Sequence, residues 1–248
     1  MKKYRAVLFD LFGTVALFDS SKLPVFAWNG RTSRSTMGRL RAVYEDTAPK
    51  MPFAQFFSAL AEVSKTLGEE RDRSLRELSS VQRFARTLLH IGCAESPETT
   101  QLAENLALAH MEVLASVTEI PPAHTEFLAQ VRECYAVALV SNFDHAPTAR
   151  KILQTGGVTD YFQHIVVSDE HGWRKPHPQI FLDALAFLGV SPADALFVGD
   201  SPHDDIRGAK TVGMDVAWVN AQELALPEQT AVPEYTVKAI PDLRRVLF

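Results

Sequence analysis

The feature that most constrains the fold is a short apolar run, AVLF at residues 6–9, that ends abruptly in a carboxylate, Asp10, and turns at Gly13-Thr14. A run without polar alternation has no solvated face, so it reads as a strand covered on both sides, as in a parallel sheet. One strand cannot build such a sheet, and the residues that follow offer no partner. From about residue 16 to 117 nothing reads as a strand, and apolar residues recur at helical spacing instead. The partners come from Thr118 onward, where the pattern becomes strand, loop and helix in repetition. YAVALV (135–140), FQHIVV (162–167), ALFVG (195–199) and DVAWV (215–219) are short, apolar and β-rich. The expected fold is α/β: a parallel sheet with helices built from residues 1–15 and 118–248, with a helical domain, residues 16–117, inserted after the first strand.

Within the insert, Pro52 to Leu67 places Phe53, Phe56, Phe57, Leu60, Val63 and Leu67 on one face, and Gly68 is the expected stop. Ser80 is expected to cap a helix through Val81, Phe84, Leu88 and Ile91 that closes at Gly92. Ser96-Pro97 opens another, with Leu102, Leu106, Ala109 and Val113 inward. The charged stretch EERDRSLRE (69–77) reads as a solvated connection or exposed face. In the later half, Pro178 opens a helix that ends at Gly189, and Ser191-Pro192-Ala193-Asp194 reads as a capping box.

A chain of 248 residues, 46% of them apolar, can bury a sizeable core, and a net charge of −5 provides no general basic surface. Nucleic acid is therefore not an expected partner, and an anionic substrate must be attracted locally. The start MKKYRAVLFD is too soon charged for a secretory leader, and no apolar run approaches the roughly 20 residues that span a bilayer. The expectation is a cytoplasmic protein without a membrane partner. Cys93 and Cys134 lack metal-ligand spacing and read as reduced, mostly buried thiols.

Three later segments complete a pattern begun at Asp10: VALVSN ending at Ser141-Asn142, WRKPHP around Lys175, and LFVGDSPHDD around Asp200. These segments, their order and the position of the insert resemble the haloacid dehalogenase (HAD) superfamily, in the branch whose helical cap lies between the first and second motifs. The resemblance implies a HAD-like core, a doubly wound parallel sheet with the site at the carboxyl ends of the strands, and the insert as its cap. It further implies Asp10 as nucleophile, Ser141 as a contact of the transferred group, and Lys175 as compensation for negative charge. Gly13, Thr14 and Asn142 are then candidate substrate contacts. Mg²⁺ would be held by Asp10, the Phe12 carbonyl, Asp200 and a further carboxylate, with Asp205 ranked before Asp204. Oxygen ligands of this kind suit a hard cation, and an ammonium beside them helps a carboxylate approach an anion. His145, His171, His177 and His203 lie near these loops without metal-ligand spacing and read as caps or loop contacts.

One position departs from the family's phosphatases. They read Asp-x-Asp in the first motif, the second Asp protonating the leaving group and later activating water, whereas Phe12 stands here and cannot transfer a proton. General acid or base help is worth about 10² to 10⁴ in rate, so the departure bears directly on chemistry. An aromatic residue at this place also occurs in the family's 2-haloacid dehalogenases, which use a cap arginine for the substrate carboxylate. Arg31, Arg34, Arg39 and Arg41, four cations without an acid between them, offer candidates, Arg34 and Arg41 foremost; equally they form an exposed basic start to a helix. Dehalogenases, however, dispense with metal and replace the last acidic residues, which are all present here. A phosphonate-cleaving relative would need a cap lysine, and Lys22, Lys50 and Lys65 have no distinguishing context. A noncatalytic phosphoryl-ligand binding protein is a third alternative. The leading expectation is a Mg²⁺-dependent hydrolase of a small phosphorylated metabolite, acting through an aspartyl-phosphate.

Overall fold

The structure, a computed structural model, describes residues 4–47 and 51–248. Lys50 and the first three residues lie outside this range. The chain divides into two compact units, Met1–Leu17 with Glu119–Phe248, and Phe18–Thr118.

In the first unit six strands form one sheet: β1 (Ala6–Phe9), β2 (Ala136–Ser141), β3 (His164–Val167), β4 (Ala195–Gly199), β5 (Asp215–Val219) and β6 (Tyr235–Val237). Every neighbouring pair is parallel, in the order β6-β5-β4-β1-β2-β3. The chain builds outward from β1 to β3, then returns to β4 on the other side of β1. That reversal between β1 and β4 opens a crevice at the carboxyl ends of the strands, where open α/β sheets bind ligands. All four residues of β1 are buried, as the unalternated run requires. Leu8, Val140, Ile180, Phe181, Phe197 and Trp218 belong to one apolar cluster between sheet and helices. Burial of each such large apolar side chain contributes about 1.5–3 kcal/mol. The sixth strand had no sequence signal because three residues at a sheet edge carry no readable period.

The second unit holds helices Met37–Asp46, Phe53–Ser74, Ser80–His90 and Pro97–Ser116. They enclose Phe26, Tyr44, Phe53, Phe56, Phe84 and Leu106. The Tyr44 and Phe56 rings stack with centroids 4.6 Å apart.

Several expectations need correction here. The insert does contain strands: Val25–Trp28 and Arg31–Arg34 pair antiparallel around Asn29-Gly30. Both turn residues have positive φ, 48° and 73°, as a two-residue hairpin turn of this twist demands. Arg31 and Arg34 thus lie on a strand, and only Arg39 and Arg41 on a helix. Gly68 stops nothing. The helix continues to Ser74 and closes at Leu75, whose φ is 54° and whose N–H donates to the Arg71 carbonyl. Glycine within a helix costs about 1 kcal/mol, and the helix-forming Glu and Arg residues beyond it, with Glu70 paired to Arg86 at 2.7 Å, outweigh that. EERDRS is therefore the last turns of a helix. Its neighbour is capped by Ser79, one residue earlier than expected, in a reciprocal pair with Gln82 at 3.1 and 2.9 Å. Ser191 makes no capping box; its hydroxyl donates to Asp194 at 2.8 Å across a single 3₁₀ turn, Pro192–Asp194. Cys134, at a helix end, is exposed and Cys93 half-buried. No helix of the described residues is long and apolar enough to cross a membrane.

Candidate active site

Three central strands deliver their last residues to one place. Asp10 follows β1, Ser141 ends β2, and Asp200 follows β4. The Asp10 N–H donates to the Val198 carbonyl at 2.9 Å, so the ladder fixes its backbone. Lys175 arrives on the loop before helix Pro178–Leu188, and its Nζ lies 2.5 Å from Asp10 Oδ1 and 2.7 Å from Asp205 Oδ1. Lys175, Asp10 and Asp205 are all buried. Asp10, Asp200 and Asp205 each offer an oxygen within 4.8 Å of the others.

The cluster therefore sets three carboxylates against one ammonium in a poorly solvated space. Burial pushes the Asp10 carboxyl up, Lys175 pulls it down, and the Asp205 and Asp200 charges push it up again, with a net rise. Burial, then Asp205, raises Asp200 to about 6 against the pull of Lys175. Burial works against the Lys175 ammonium, but Asp10 and Asp205 outweigh it and hold its pKa above the ordinary lysine value. Carboxyls that resist ionisation beside an ammonium that resists deprotonation mark an excess of negative charge. Hard oxygen donors with a surplus of about two charges fit a divalent cation such as Mg²⁺.

The surrounding backbone is shaped for this approach. Gly13 has φ 77°, and a β-carbon there would collide with the Asp200 carboxylate. Its N–H donates to Ala16 O at 2.8 Å, and Ala16 N–H to Leu11 O at 2.7 Å, closing the turn after Asp10. A β-carbon at Gly199 would likewise meet the Asp205 side chain. The Ser201 N–H donates to Asp205 Oδ2 at 2.9 Å, and its hydroxyl accepts from the Asp204 N–H at 3.1 Å. Trp218 Nε1 donates to the Asp200 carbonyl at 2.9 Å. Ser201 and Trp218 were missed from sequence, although a serine before proline signals a cap and an indole in a buried strand needs an acceptor.

Among the described residues the Ser141 and Thr14 hydroxyls are buried without a hydrogen-bond partner. An unpaired buried hydroxyl costs about 1–3 kcal/mol, a cost that a ligand oxygen would relieve. Asn142 is different, its amide being engaged by Lys175 and Asp204. Asp204 stands apart from the three clustered carboxylates, with Oδ1 2.7 Å from His203 Nδ1 and Oδ2 accepting from Asn142. The Phe12 ring packs on Phe143, centroids 4.7 Å apart. His177 caps its helix, accepting the Gln179 N–H at 3.2 Å, and His145 pairs with the Thr148 hydroxyl at 2.8 Å. Arg34 and Arg41 belong to the other unit. Arg34 donates to the Leu23 carbonyl at 2.9 Å, and Arg41 pairs with Glu45 at 2.8 Å while lying over the Trp28 ring.

A family model for haloacid dehalogenase-like hydrolases matches residues 4–213. The chain belongs to that family. It is 28% identical over 252 residues to the glyceraldehyde 3-phosphate phosphatase of Pyrococcus furiosus, covering 100% of this chain and 94% of that protein. The fold is shared with the 2-haloacid dehalogenase of Pseudomonas syringae pv. Tomato at a TM-score of 0.72 and 24% identity, covering 100% and 98% of the two chains. It is also shared with the magnesium-bound putative HAD-hydrolase YfnB of Bacillus subtilis, at a TM-score of 0.62, 21% identity and 99% coverage of both chains.

Proposed function

We propose that this hydrolase is a Mg²⁺-dependent phosphatase of small phosphorylated metabolites that works through an aspartyl-phosphate on Asp10. The observation that carries the reading is the cluster of Asp10, Asp200 and Asp205 with Lys175 bonded between two of them. A carboxylate held by a cation and aimed from a strand end is a nucleophile able to approach an anion. Asp10 attacks phosphorus and the bond to the leaving oxygen breaks, the departing oxygen taking its proton from solvent because Phe12 has none to give. Lys175 offsets charge on nucleophile and phosphoryl group, and the Ser141 and Thr14 hydroxyls donate to phosphoryl oxygens. Water then attacks phosphorus of the aspartyl-phosphate, giving up its proton to solvent, which releases phosphate and restores the Asp10 carboxylate. Asp10, Asp200 and Asp205, with the Phe12 carbonyl, would hold Mg²⁺, which when bound neutralises phosphoryl charge.

The Pyrococcus furiosus relative supports a small phosphorylated substrate. In this reading Phe18–Thr118 is the cap that sets specificity, with Arg34 and Arg41 its candidate anion contacts. Arg41's pair with Glu45 is exposed and worth at most about 1 kcal/mol, so an anionic substrate can replace it. We place the protein in the cytoplasm, where its two unpaired thiols would stay reduced.

Phe12 favours one second reading, 2-haloacid dehalogenation, because halide leaves without a proton. Assays against phosphomonoester and 2-haloacid panels, with and without chelator, separate the two. Phosphate release that stops on chelation is expected. Chelator-resistant halide release without phosphatase activity would overturn the proposal.

A further inference from the structure

The side chain of Asn142, the first residue beyond β2, holds both main-chain groups of Lys175. Its Oδ1 accepts the Lys175 N–H at 2.7 Å and its Nδ2 donates to the Lys175 carbonyl at 2.9 Å. The remaining Nδ2 hydrogen reaches Asp204 Oδ2 at 3.3 Å. A carboxamide has two N–H donors, so none is left to offer a substrate. The amide orientation follows from these partners, because a flip would set N–H against N–H and oxygen against oxygen.

The consequence concerns the ammonium at the end of a long side chain. Lys175 Nζ sits 2.5 Å from Asp10 and 2.7 Å from Asp205, and the residue is only 2% exposed. Its reach is set by where the backbone starts. Lysine has four flexible carbons and no planar fork to guide it, so a loosened backbone moves the charge directly. We propose that Asn142 is a positioning residue: it locks the lysine loop to the end of β2 and to the Asp204 loop, so that the Lys175 ammonium meets the nucleophile and not solvent. The proposal rests on the phosphatase reading for its kinetic consequence, but the clamp itself does not.

The test uses Asn142→Ala and Asn142→Asp in the full chain. A shift of an ångström in a catalytic group can cost about 10²-fold, so kcat should fall about 10- to 100-fold. KM should change less than about 3-fold, since the lost term acts mainly in the transition state. Asn142→Asp should give no rescue, because a carboxylate lacks N–H donors and faces the Asp204 carboxylate. A raised KM with kcat intact would make Asn142 a substrate contact and overturn the proposal. So would a loss of activity that only tracks the folded fraction.

A second arm needs no substrate. Acetylation of Lys175 by an amine-reactive ester, followed by mass spectrometry of its peptide, should be slow in the wild type. In Asn142→Ala it should rise at least about 5-fold while the near-ultraviolet spectrum is unchanged. Faster labelling in a protein without phosphatase activity would sink the phosphatase reading and leave the clamp standing. Unchanged labelling would sink the clamp. Should Asn142→Ala not fold, Asn142→Ser, which retains one hydroxyl partner for Lys175, is read the same way.

Discussion

The two units of the chain place charge in opposite ways. The sheet unit buries Lys175 among Asp10 and Asp205 at the strand ends. The helical unit encloses aromatic rings and leaves most of its ion pairs at the surface, as in Arg41–Glu45, Arg39–Glu112 and Arg86–Glu70. An exception is Arg71–Glu77, with the Glu77 side chain only 2% exposed. Exposed pairs contribute about 0–1 kcal/mol, whereas removing one partner of a buried pair can cost about 3–5 kcal/mol. Charge is therefore distributed differently along the chain: the sheet unit gathers buried charge at its strand ends, and the helical unit rests mainly on aromatic packing.

The largest expected effect lies where charge is in excess. Asp10→Asn removes the proposed nucleophile and should lower turnover by on the order of 10⁴-fold or more. The same change removes one of three crowded carboxylates and leaves Lys175 with Asp205, so the melting temperature should stay level or rise. Turnover and calorimetry on one preparation check both. A strong loss of stability would show that Asp10 is a structural partner of Lys175 above all, and would break the contrast.

The mirror experiment lies in the aromatic unit. Phe84 is fully buried there. Phe84→Ala should destabilise that unit by about 3–5 kcal/mol through lost burial and a cavity. Calorimetry should then resolve an early transition ahead of the sheet unit's. A single transition shifted as a whole would show the units to be energetically one.

What sequence could reveal follows the same division. β1, β2, β4 and β5 were legible because a strand buried on both faces must be apolar without alternation, and Asp10, Ser141 and Asp200 were legible because each ends such a run. The helices of the insert were legible from period, but their limits were not, since Gly68 is a stop only if the residues beyond it have nothing to hold. The hairpin was missed although Asn29-Gly30 is a strong turn signal, because its flanks, VFAW and RTSR, lack a shared alternation. The pair of hydrogen bonds between Asn142 and Lys175 was illegible, since it joins residues 33 apart through a loop whose course no local pattern encodes.

That hairpin supplies a smaller test. Gly30 has φ 73°, and a β-carbon added there would meet nothing within 4 Å. The cost of Gly30→Ala is then conformational alone, about 1 kcal/mol for an L-residue held left-handed. Denaturant melts should show the unfolding free energy of the helical unit lowered by that amount, with a correspondingly lower midpoint, and the sheet unit unmoved. An unchanged midpoint would mean that the turn relaxes freely and the hairpin adds little to its unit.

The smallest effect should belong to the sheet unit and to acid. His124 is buried, with Nδ1 3.0 Å from the Val15 carbonyl, to which its neutral ring donates. Burial pushes its pKa below the ordinary 6.5, against the hydrogen bond to Val15. Below 6.5 the unfolded chain therefore binds the proton more readily than the folded one. This contribution to stability is complete above that pH, declines as pH falls toward the depressed folded value, and is constant again below it. His145 and His164 are also pushed down, both chiefly by burial, and act in the same direction, whereas the raised carboxyls of Asp10 and Asp200 take up protons in the folded state first and act in the opposite one. His124→Asn isolates one part, because its amide can still donate to Val15 but cannot titrate. The wild-type minus variant stability, measured by denaturant from neutral pH downward, should be flat above 6.5 and slope against the wild type below it. A difference that stays flat throughout would show that His124 carries its proton in the folded sheet unit as easily as in the unfolded chain, and that burial there does not discriminate against charge as the strand-end cluster requires.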